Sequence, residues 1–271
     1  MKSAFTTLIA IFLLGAVAGL YFYIPSAQQA IDTYILGTEE IAPPVPLEPE
    51  KSIYVLADGT GSTYGTYAIP KVTIEWIEKV LDKTYETSGG RFYLSHIDND
   101  SRNNEVLYTS IPKQHLVPSK PERKNGEISF EYSKRIRDWE SNLTSVKKDS
   151  AQTALKFKED KAKFLSQCSD LLTQKVYVNS KSNHWTDIIG ILNAAFISLQ
   201  NGQESTTVKY VVGFSDFIQD APHIKGIKLA PTPEDVELIA VNPVQNSSNK
   251  VTDKLIEYEH PDRVIEHIFN F

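Results

Sequence analysis

A short apolar run, residues 53–57, ends abruptly in the loop Asp58-Gly59-Thr60-Gly61-Ser62. Five apolar residues bounded by turn-forming residues are typical of a buried strand. The loop alternates one carboxylate and two hydroxyls with glycines, and Mg²⁺ prefers oxygen ligands of these kinds. The junction therefore predicts either half of a metal site or a glycine-rich turn between a strand and a helix.

Two later segments offer the oxygens that a complete site would need. Val208–Phe214 is a second apolar run and is followed directly by Ser215 and Asp216, while Thr186 opens an apolar helical pattern over residues 186–199. Open α/β sheets bind ligands at the carboxyl ends of their strands, near the helix beginnings. We therefore expect the three segments to converge on one crevice.

The combined pattern resembles a known site: D-x-T-x-S after a first strand, a threonine opening a later helix, and an aspartate closing a later strand. It is similar to the metal-ion-dependent adhesion site of von Willebrand factor type A domains. The resemblance covers residues 51–271 and is interrupted by one long insert. Carried over residue by residue, it assigns five metal ligands: Asp58, Thr60, Ser62, Thr186 and Asp216.

The resemblance implies a bound Mg²⁺, with Mn²⁺ or Ca²⁺ as alternatives, and a protein partner that supplies an acidic side chain to the metal. Two positions depart from the family pattern. Thr60 stands where serine is more common, and it keeps the hydroxyl ligand. Phe217 stands where a glycine often follows the aspartate of the third loop, which affects the shape of that loop but not the carboxylate of Asp216.

Three other motif classes share parts of the first loop. A phosphate-binding P-loop needs a lysine at a fixed distance from its glycines, and none follows Gly61 or Gly65 at that spacing. The haloacid dehalogenase pattern D-x-D-G-T would need an aspartate where Leu56 stands. The D-x-G-T-G pattern of actin-like ATPases lacks one residue here, and it joins a hairpin, whereas residues 70–85 have a helical pattern.

Composition narrows the function classes further. The chain has 271 residues, 41% of them hydrophobic, which is enough for a sizeable core in one domain with appendages. Its formal net charge of −6 argues against a nucleic-acid-binding surface. The single cysteine, Cys168, excludes an intrachain disulfide and a zinc cluster built on cysteines.

Residues 5–24 carry no charged side chain and have the length of a membrane-spanning helix. Lys2 precedes this segment and no lysine or arginine follows it until Lys51, so the positive-inside rule places the N-terminus in the cytoplasm and the domain outside. The alternative is a signal peptide cleaved near Pro25 and Ala27, which would give a secreted protein. Residues 28–50 are predicted to form a linker, stiffened by the prolines of residues 42–50.

From residue 51 onwards, strand and helix patterns alternate. They predict a doubly wound, mostly parallel α/β sheet, with residues 91–97 as a second strand and residues 106–111 as a third, antiparallel one. Residues 176–178 are predicted as a short strand or an extended approach to the second loop. The closing segment, residues 253–269, is predicted as an amphipathic helix interrupted at Pro261.

Residues 127–175 form the long insert, and residues 133–175 contain neither glycine nor proline. Their 3- and 4-residue apolar spacing predicts one long amphipathic helix, or a helical hairpin broken near Asp149 and Ser150. The C-terminal half of this segment is expected to cover the sheet. Its N-terminal half, residues 133–150, has a narrower apolar stripe, which favours an arm that recruits a partner.

These features divide the chain into an anchor or signal peptide (residues 1–27), a linker (residues 28–50) and a domain resembling the von Willebrand factor type A fold (residues 51–271). The predicted function is metal-dependent protein binding outside the cytoplasmic membrane, without catalysis. The alternative is a metal-dependent hydrolase or phosphatase. Against the enzymatic alternative, the loops offer no convincing general base or nucleophile beyond His184 and Asp187.

Overall fold

The computed structural model describes residues 48–60, 69–115, 118–178, 185–200, 207–221, 226–241, 250–252 and 254–269. All of them belong to one compact unit, Glu48–Phe271. The predicted anchor, most of the predicted linker, Ser62 and His184 lie outside the described residues. Among the helices that are described, none is both long enough and apolar enough to cross a membrane.

The apolar runs of the sequence form the centre of a six-stranded sheet. Strand β1 (Lys51–Asp58) lies between β2 (Gly90–Ile97) and β4 (Val208–Phe214) and is parallel to both. Strand β3 (Leu107–Ile111) pairs antiparallel with the outer side of β2. The order is β3-β2-β1-β4-β5-β6, and the last two strands are β5 (Val236–Val241) and β6 (Ile256–Tyr258), both parallel. The predicted α/β class and the antiparallel third strand are confirmed.

Helices cover both faces of the sheet because side chains of β1 alternate between two cores. Ile53, Val55 and Ala57 pack in a core with helix α1 (Ile74–Thr87) and helix α4 (Pro261–Phe269). Tyr54 and Leu56 point to the opposite face and pack with helix α3 (Ile188–Gln200). Alternation of this kind is the period-2 signature of a strand buried on both sides.

Helix α1 has clear start and stop signals. The hydroxyl of Thr73 accepts a hydrogen bond from the Trp76 amide at 3.2 Å and caps the first turn. At the other end, Gly89 and Gly90 have positive φ angles of 68° and 142°. A Cβ atom on Gly90 would lie 1.9 Å from the Lys51 carbonyl oxygen, so the chain can enter β2 beside β1 only through glycine.

The insert is one continuous helix, α2 (Ser129–Asp170), followed by a π-helical turn, Leu171–Val176. The hairpin alternative is therefore wrong. The buried residues of α2 all lie in its C-terminal part, and two of them contact the core through aromatic rings: Phe157 stacks on Tyr85 at 4.3 Å and Phe164 meets Phe92 edge-on at 5.8 Å. Here α2 covers the sheet, as predicted.

Two predicted elements are wrong. Residues 176–178 form no strand, and the extended alternative fails at Tyr177, because the π-helical turn includes Val176 and Tyr177 keeps helical φ and ψ angles of −96° and −8°. The Tyr177 hydroxyl accepts a hydrogen bond from the Val72 amide at 2.9 Å. The closing segment is not one interrupted helix. Ile256–Tyr258 pairs with β5 instead, and α4 begins at Pro261, whose fixed φ and missing N–H suit the first helical position.

Candidate metal centre

The strand order defines where a ligand site is expected. The chain moves from β1 outward to β2 and β3, and then returns to the other side of β1 with β4. The crevice of such a sheet lies beyond the carboxyl ends of the two strands where this reversal occurs. In this chain they are β1 and β4, which end in Asp58 and Phe214. The D-x-T-x-S loop and the Ser215-Asp216 pair follow these two ends.

Oxygens from two distant segments meet at this edge. The Thr60 hydroxyl donates to Oδ1 of Asp58 at 2.6 Å, and the Thr60 amide donates to the same oxygen at 2.8 Å. The Thr186 hydroxyl donates to the Thr60 hydroxyl at 3.3 Å, across 126 positions of the sequence. All three residues are buried, with at most 4% exposed. The predicted convergence of the first and second loops is thus observed for these residues.

Asp216, on the third loop, lies close enough to Asp58 and Asp220 for their carboxylates to affect its pKa. The pKa of its carboxyl is raised to about 6, chiefly by burial and further by the nearby carboxylates of Asp58 and Asp220, against a hydrogen bond from the Ile218 amide. That amide donates to Oδ1 of Asp216 at 3.1 Å. A buried carboxylate whose pKa is raised by neighbouring carboxylates is a group that a bound cation would stabilise in its charged form.

Phe217 adopts the conformation that glycine would adopt more easily. Its φ is 57°, in the left-handed region, although its side chain is fully buried. The ring lies over Gly213 of β4, where a Cβ atom would approach within 2.4 Å of the ring. Phe217 therefore keeps a glycine-like turn after Asp216, and Gly213 supplies the space for the larger side chain.

The backbone of Thr186 is fixed by the third loop. Its amide donates to the carboxylate of Asp220, and the Asp220 amide donates to the Thr186 carbonyl oxygen at 3.2 Å. Asp220 was not predicted to have this role. Its function depends on how the loop after β4 closes against α3, and no local sequence pattern indicates that contact.

Asp187 joins α3 to the turn that follows β2, and these contacts leave it poorly placed to act as a general base. It is fully buried, and its carboxylate accepts from the Gly190 amide at 3.0 Å and the Ser101 amide at 3.1 Å. Its own amide donates to the Asp98 carbonyl oxygen at 2.8 Å. An aspartate immediately before an apolar helix is a typical N-cap signal, so this role could have been predicted from the sequence.

The loop after β1 is also confined by the insert. The Gly59 amide donates to the Ile97 carbonyl oxygen at 2.9 Å. A Cβ atom on Gly59 would lie 3.0 Å from the carbonyl oxygen of Val176, the last residue of the π-helical turn. Gly59 therefore lets the metal loop pass between the end of β2 and the end of the insert.

The donor set fits a hard cation. Each threonine hydroxyl gives its proton to the next oxygen, Thr186 to Thr60 and Thr60 to Asp58, and so presents lone pairs as a hydroxyl ligand must. Within the described ranges, no three histidine, cysteine, aspartate or glutamate side chains are grouped to hold a metal ion. The predicted ligand set does not require such a group, because three of its five members are hydroxyls.

The fold and this edge define a class: a mostly parallel α/β domain with an oxygen-rich crevice at the reversal point of its sheet. No protein-family model matches the chain, and no curated protein matches it.

Proposed function

We propose that the chain is a divalent-metal-dependent protein-binding module of the von Willebrand factor type A class. The observation that supports this most strongly is the hydroxyl-to-carboxylate chain from Thr186 through Thr60 to Asp58. It joins the first and second loops at the edge where the pKa of Asp216 on the third is raised. Short motifs arise by chance, and contact between the distant members of a motif is the kind of structural context that supports it.

The metal would be held by the hydroxyls of Thr60, Ser62 and Thr186, with Asp58 and Asp216 binding directly or through water. Mg²⁺ is the expected ion, with Mn²⁺ or Ca²⁺ as alternatives. A cation with few directly bound carboxylates stays electrophilic, and it can accept a carboxylate from a partner protein. The domain would be displayed outside the cytoplasmic membrane by residues 5–24, or be secreted if that segment is cleaved.

Metal binding is tested first by thermal unfolding. A ligand that binds only the native state stabilises it by RT ln(1 + L/Kd), where L is the free ligand concentration, so the unfolding midpoint rises with the logarithm of that concentration above the Kd. Mg²⁺ should raise the midpoint of the native chain, and Asp58→Ala and Thr186→Ala should each remove the effect. Thr173→Ala is the matched control, because its exposed hydroxyl bonds to the Ser169 carbonyl oxygen. An equal Mg²⁺ shift in Asp58→Ala and the native chain would contradict the site.

Partner binding is tested by capture from an envelope extract with the full chain as bait. A binding module should retain a protein in Mg²⁺ or Mn²⁺ and release it in EDTA, and Thr186→Ala should retain none. A hydrolase would instead hold a water whose pKa the metal lowers, and it would turn over phosphate or acyl esters without a partner. Metal-dependent turnover that Asp58→Ala abolishes, without capture, would replace this proposal by the enzymatic one.

A further inference from the structure

The N-terminal half of α2 does not project alone, because the segment before it runs back along the helix. The Ser150 hydroxyl donates to the His115 carbonyl oxygen at 3.2 Å, and the Trp139 indole donates to the Pro118 carbonyl oxygen at 3.0 Å. Nearer the end, Arg135 donates to the Glu122 carbonyl oxygen at 2.9 Å. The connection before α2 and the N-terminal half of α2 therefore run antiparallel and form a hairpin of one extended segment and one helix. At a rise of 1.5 Å per residue, its helical part, from the start of α2 to Ser150, is about 30 Å long.

This pairing changes the interpretation of the apolar stripe on residues 133–150. Trp139 and its neighbours on the stripe are half-buried, and Trp139 bonds to the chain's own connection. The stripe therefore needs no partner to cover it. The surface that remains available is the end of the hairpin, residues 118–137, here called the arm tip.

The arm tip is held in one shape by a charged network. The Glu127 carboxylate accepts from Nε and Nη2 of Arg135, both at 2.8 Å, and from the Lys124 amide at 3.0 Å. Arg123 donates to the Ser129 hydroxyl at 3.1 Å. Gly126 allows the turn with a φ of 83°. Bidentate pairing of arginine with a carboxylate fixes both side chains, so the residues between them are presented in a defined direction.

The exposed side chains of the arm tip are apolar and basic. Phe130 is 69% exposed and Ile128 is 58% exposed, and the two lie at the very start of α2. Around them, residues 118–137 contain six lysines and arginines and three glutamates, a net charge of +3, in a chain whose net charge is −6. The charged residues are Lys120, Glu122, Arg123, Lys124, Glu127, Glu131, Lys134, Arg135 and Arg137.

The positive charge calls for an anionic partner, and the small apolar area indicates which kind. A stable protein interface buries about 800 Å² on each side, whereas one aromatic and one aliphatic side chain at an apex bury only a fraction of that. A lipid surface requires much less: shallow insertion of one or two apolar side chains, with lysines and arginines at the level of the anionic headgroups.

We propose that the arm tip is a membrane-contact site, at which Phe130 and Ile128 enter the interface of a bilayer containing anionic phospholipid. The basic side chains around them bind the headgroups. This inference rests on the shape, exposure and charge of the arm tip. It does not depend on the metal crevice, and either proposal can fail alone.

The test places an environment-sensitive nitrobenzoxadiazole dye on the full chain. The native cysteine, Cys168, is fully buried and burial raises the pKa of its thiol to about 12, so it will not react. Ser133→Cys puts the dye one turn from Phe130, and Ser145→Cys puts it at another exposed position of α2, just over three turns further along the helix. Vesicles of phosphatidylcholine, with or without phosphatidylglycerol, carry nitroxide-labelled lipid that quenches a dye at the bilayer interface.

The dye at position 133 should be quenched on vesicles with phosphatidylglycerol and not on pure phosphatidylcholine, and the dye at position 145 on neither. Phe130→Ser combined with Ile128→Ser should abolish the quenching. Lys120→Gln and Lys134→Gln should each lower the ratio of membrane-bound, quenched protein to unbound, unquenched protein about fivefold. Lys147→Gln, on the same helix beyond the tip, should leave this ratio unchanged. Because the dye reports its own surroundings, the result does not depend on whether residues 5–24 insert.

Three results would overturn the proposal. They are absence of quenching at position 133, equal quenching on neutral and anionic vesicles, and equal quenching at positions 133 and 145. The last would mean that the whole helix, rather than its tip, lies on the bilayer. Unfolding midpoints equal to that of the native chain ensure that each variant is folded.

Discussion

Asp216 carries an unfavourable charge in the metal-free protein, because burial and the carboxylates of Asp58 and Asp220 all raise the pKa of its carboxyl to about 6. The unfolded carboxyl titrates near 3.8. Between these two values the folded state binds the proton more tightly than the unfolded state does. Stability from this group is therefore gained as the pH falls from about 6 towards 4, and it is absent above pH 6.

This pH dependence of stability predicts how Asp216→Asn should behave. Without metal at pH 7, the variant should be more stable than the native chain, and the advantage should shrink as the pH falls from 7 to 4. With Mg²⁺ at pH 7 the order should reverse, because only the native chain gains from the ion. Denaturant titrations at each pH measure both effects. Asp170→Asn, at an exposed aspartate on α2, is the matched control and should show neither; a pH-independent advantage for Asp216→Asn would contradict the assignment.

Phe217 and Gly213 form a second residue-scale test. A left-handed φ costs a non-glycine residue roughly 1–2 kcal/mol, and the buried ring compensates only while Gly213 leaves space for it. Gly213→Ala should destabilise the native chain by about 1–3 kcal/mol through overpacking, and it should be nearly neutral in the Phe217→Gly background. A double-mutant cycle measured by chemical denaturation gives the coupling. Additive effects of the two substitutions would show that the ring does not lie over Gly213.

At the scale of elements, helix α3 is joined to its neighbours through Asp187. Gly190 makes this junction possible, since a Cβ atom there would lie 2.2 Å from Oδ2 of Asp187 and 2.7 Å from Cγ of Arg102. The same carboxylate accepts from the Ser101 amide, in the turn that follows β2. The glycine is therefore explained by a tertiary contact and not by helix propensity.

Gly190→Ala should reverse the usual effect of this substitution. In a free helix interior, alanine is more stable than glycine by about 1 kcal/mol. Here the added methyl group should displace the Asp187 carboxylate and cost about 1–3 kcal/mol of the unfolding free energy. Ser198→Ala in the same helix serves as the control and should change stability by less. A stabilised Gly190→Ala protein, measured by denaturant unfolding, would contradict the junction.

The strands and helices that the sequence predicted correctly have strong local patterns. Val208–Phe214 is a continuous apolar run, and α1 combines a threonine cap with a glycine pair at its end. The two errors fall where local pattern is weak. Ile256–Tyr258 is too short to show period-2 alternation, and only its pairing with β5 makes it a strand. The π-helical turn at Leu171–Val176 likewise depends on packing against β1 and has no sequence signature.

The site shows the same division between local and tertiary information. Asp58, Thr60, Thr186 and Asp216 could be selected because each follows a strand or opens a helix, and strand ends converge in this fold class. Asp220 could not be selected, because its bond to the Thr186 amide depends on the path of the loop after β4. Ser62 remains a prediction, since it lies outside the described residues.

At the scale of the whole molecule, the candidate metal crevice and the arm tip lie at different ends of the long insert. The π-helical turn at its C-terminal end meets Gly59, and the arm tip begins its N-terminal end. Membrane contact at the tip and partner binding at the crevice would therefore use separate surfaces of one rigid element. The two surfaces can act together only if the domain and its partner lie on the same side of the membrane. The membrane topology of the chain therefore decides which partners the crevice could bind.

The topology is predicted from charge alone. Lys2 precedes the apolar residues 5–24, and no lysine or arginine follows them before Lys51. The positive-inside rule therefore predicts an N-terminus in the cytoplasm and an exported domain. A reporter that is active only outside the cytoplasm, fused after Phe271, should be active. Lys2→Glu combined with Ser26→Lys and Gln28→Lys moves the positive charge to the other flank and should silence it, whereas Lys51→Gln should have no effect. Activity of a cytoplasm-only reporter on the native chain would place the domain inside the cell and would exclude an extracytoplasmic partner.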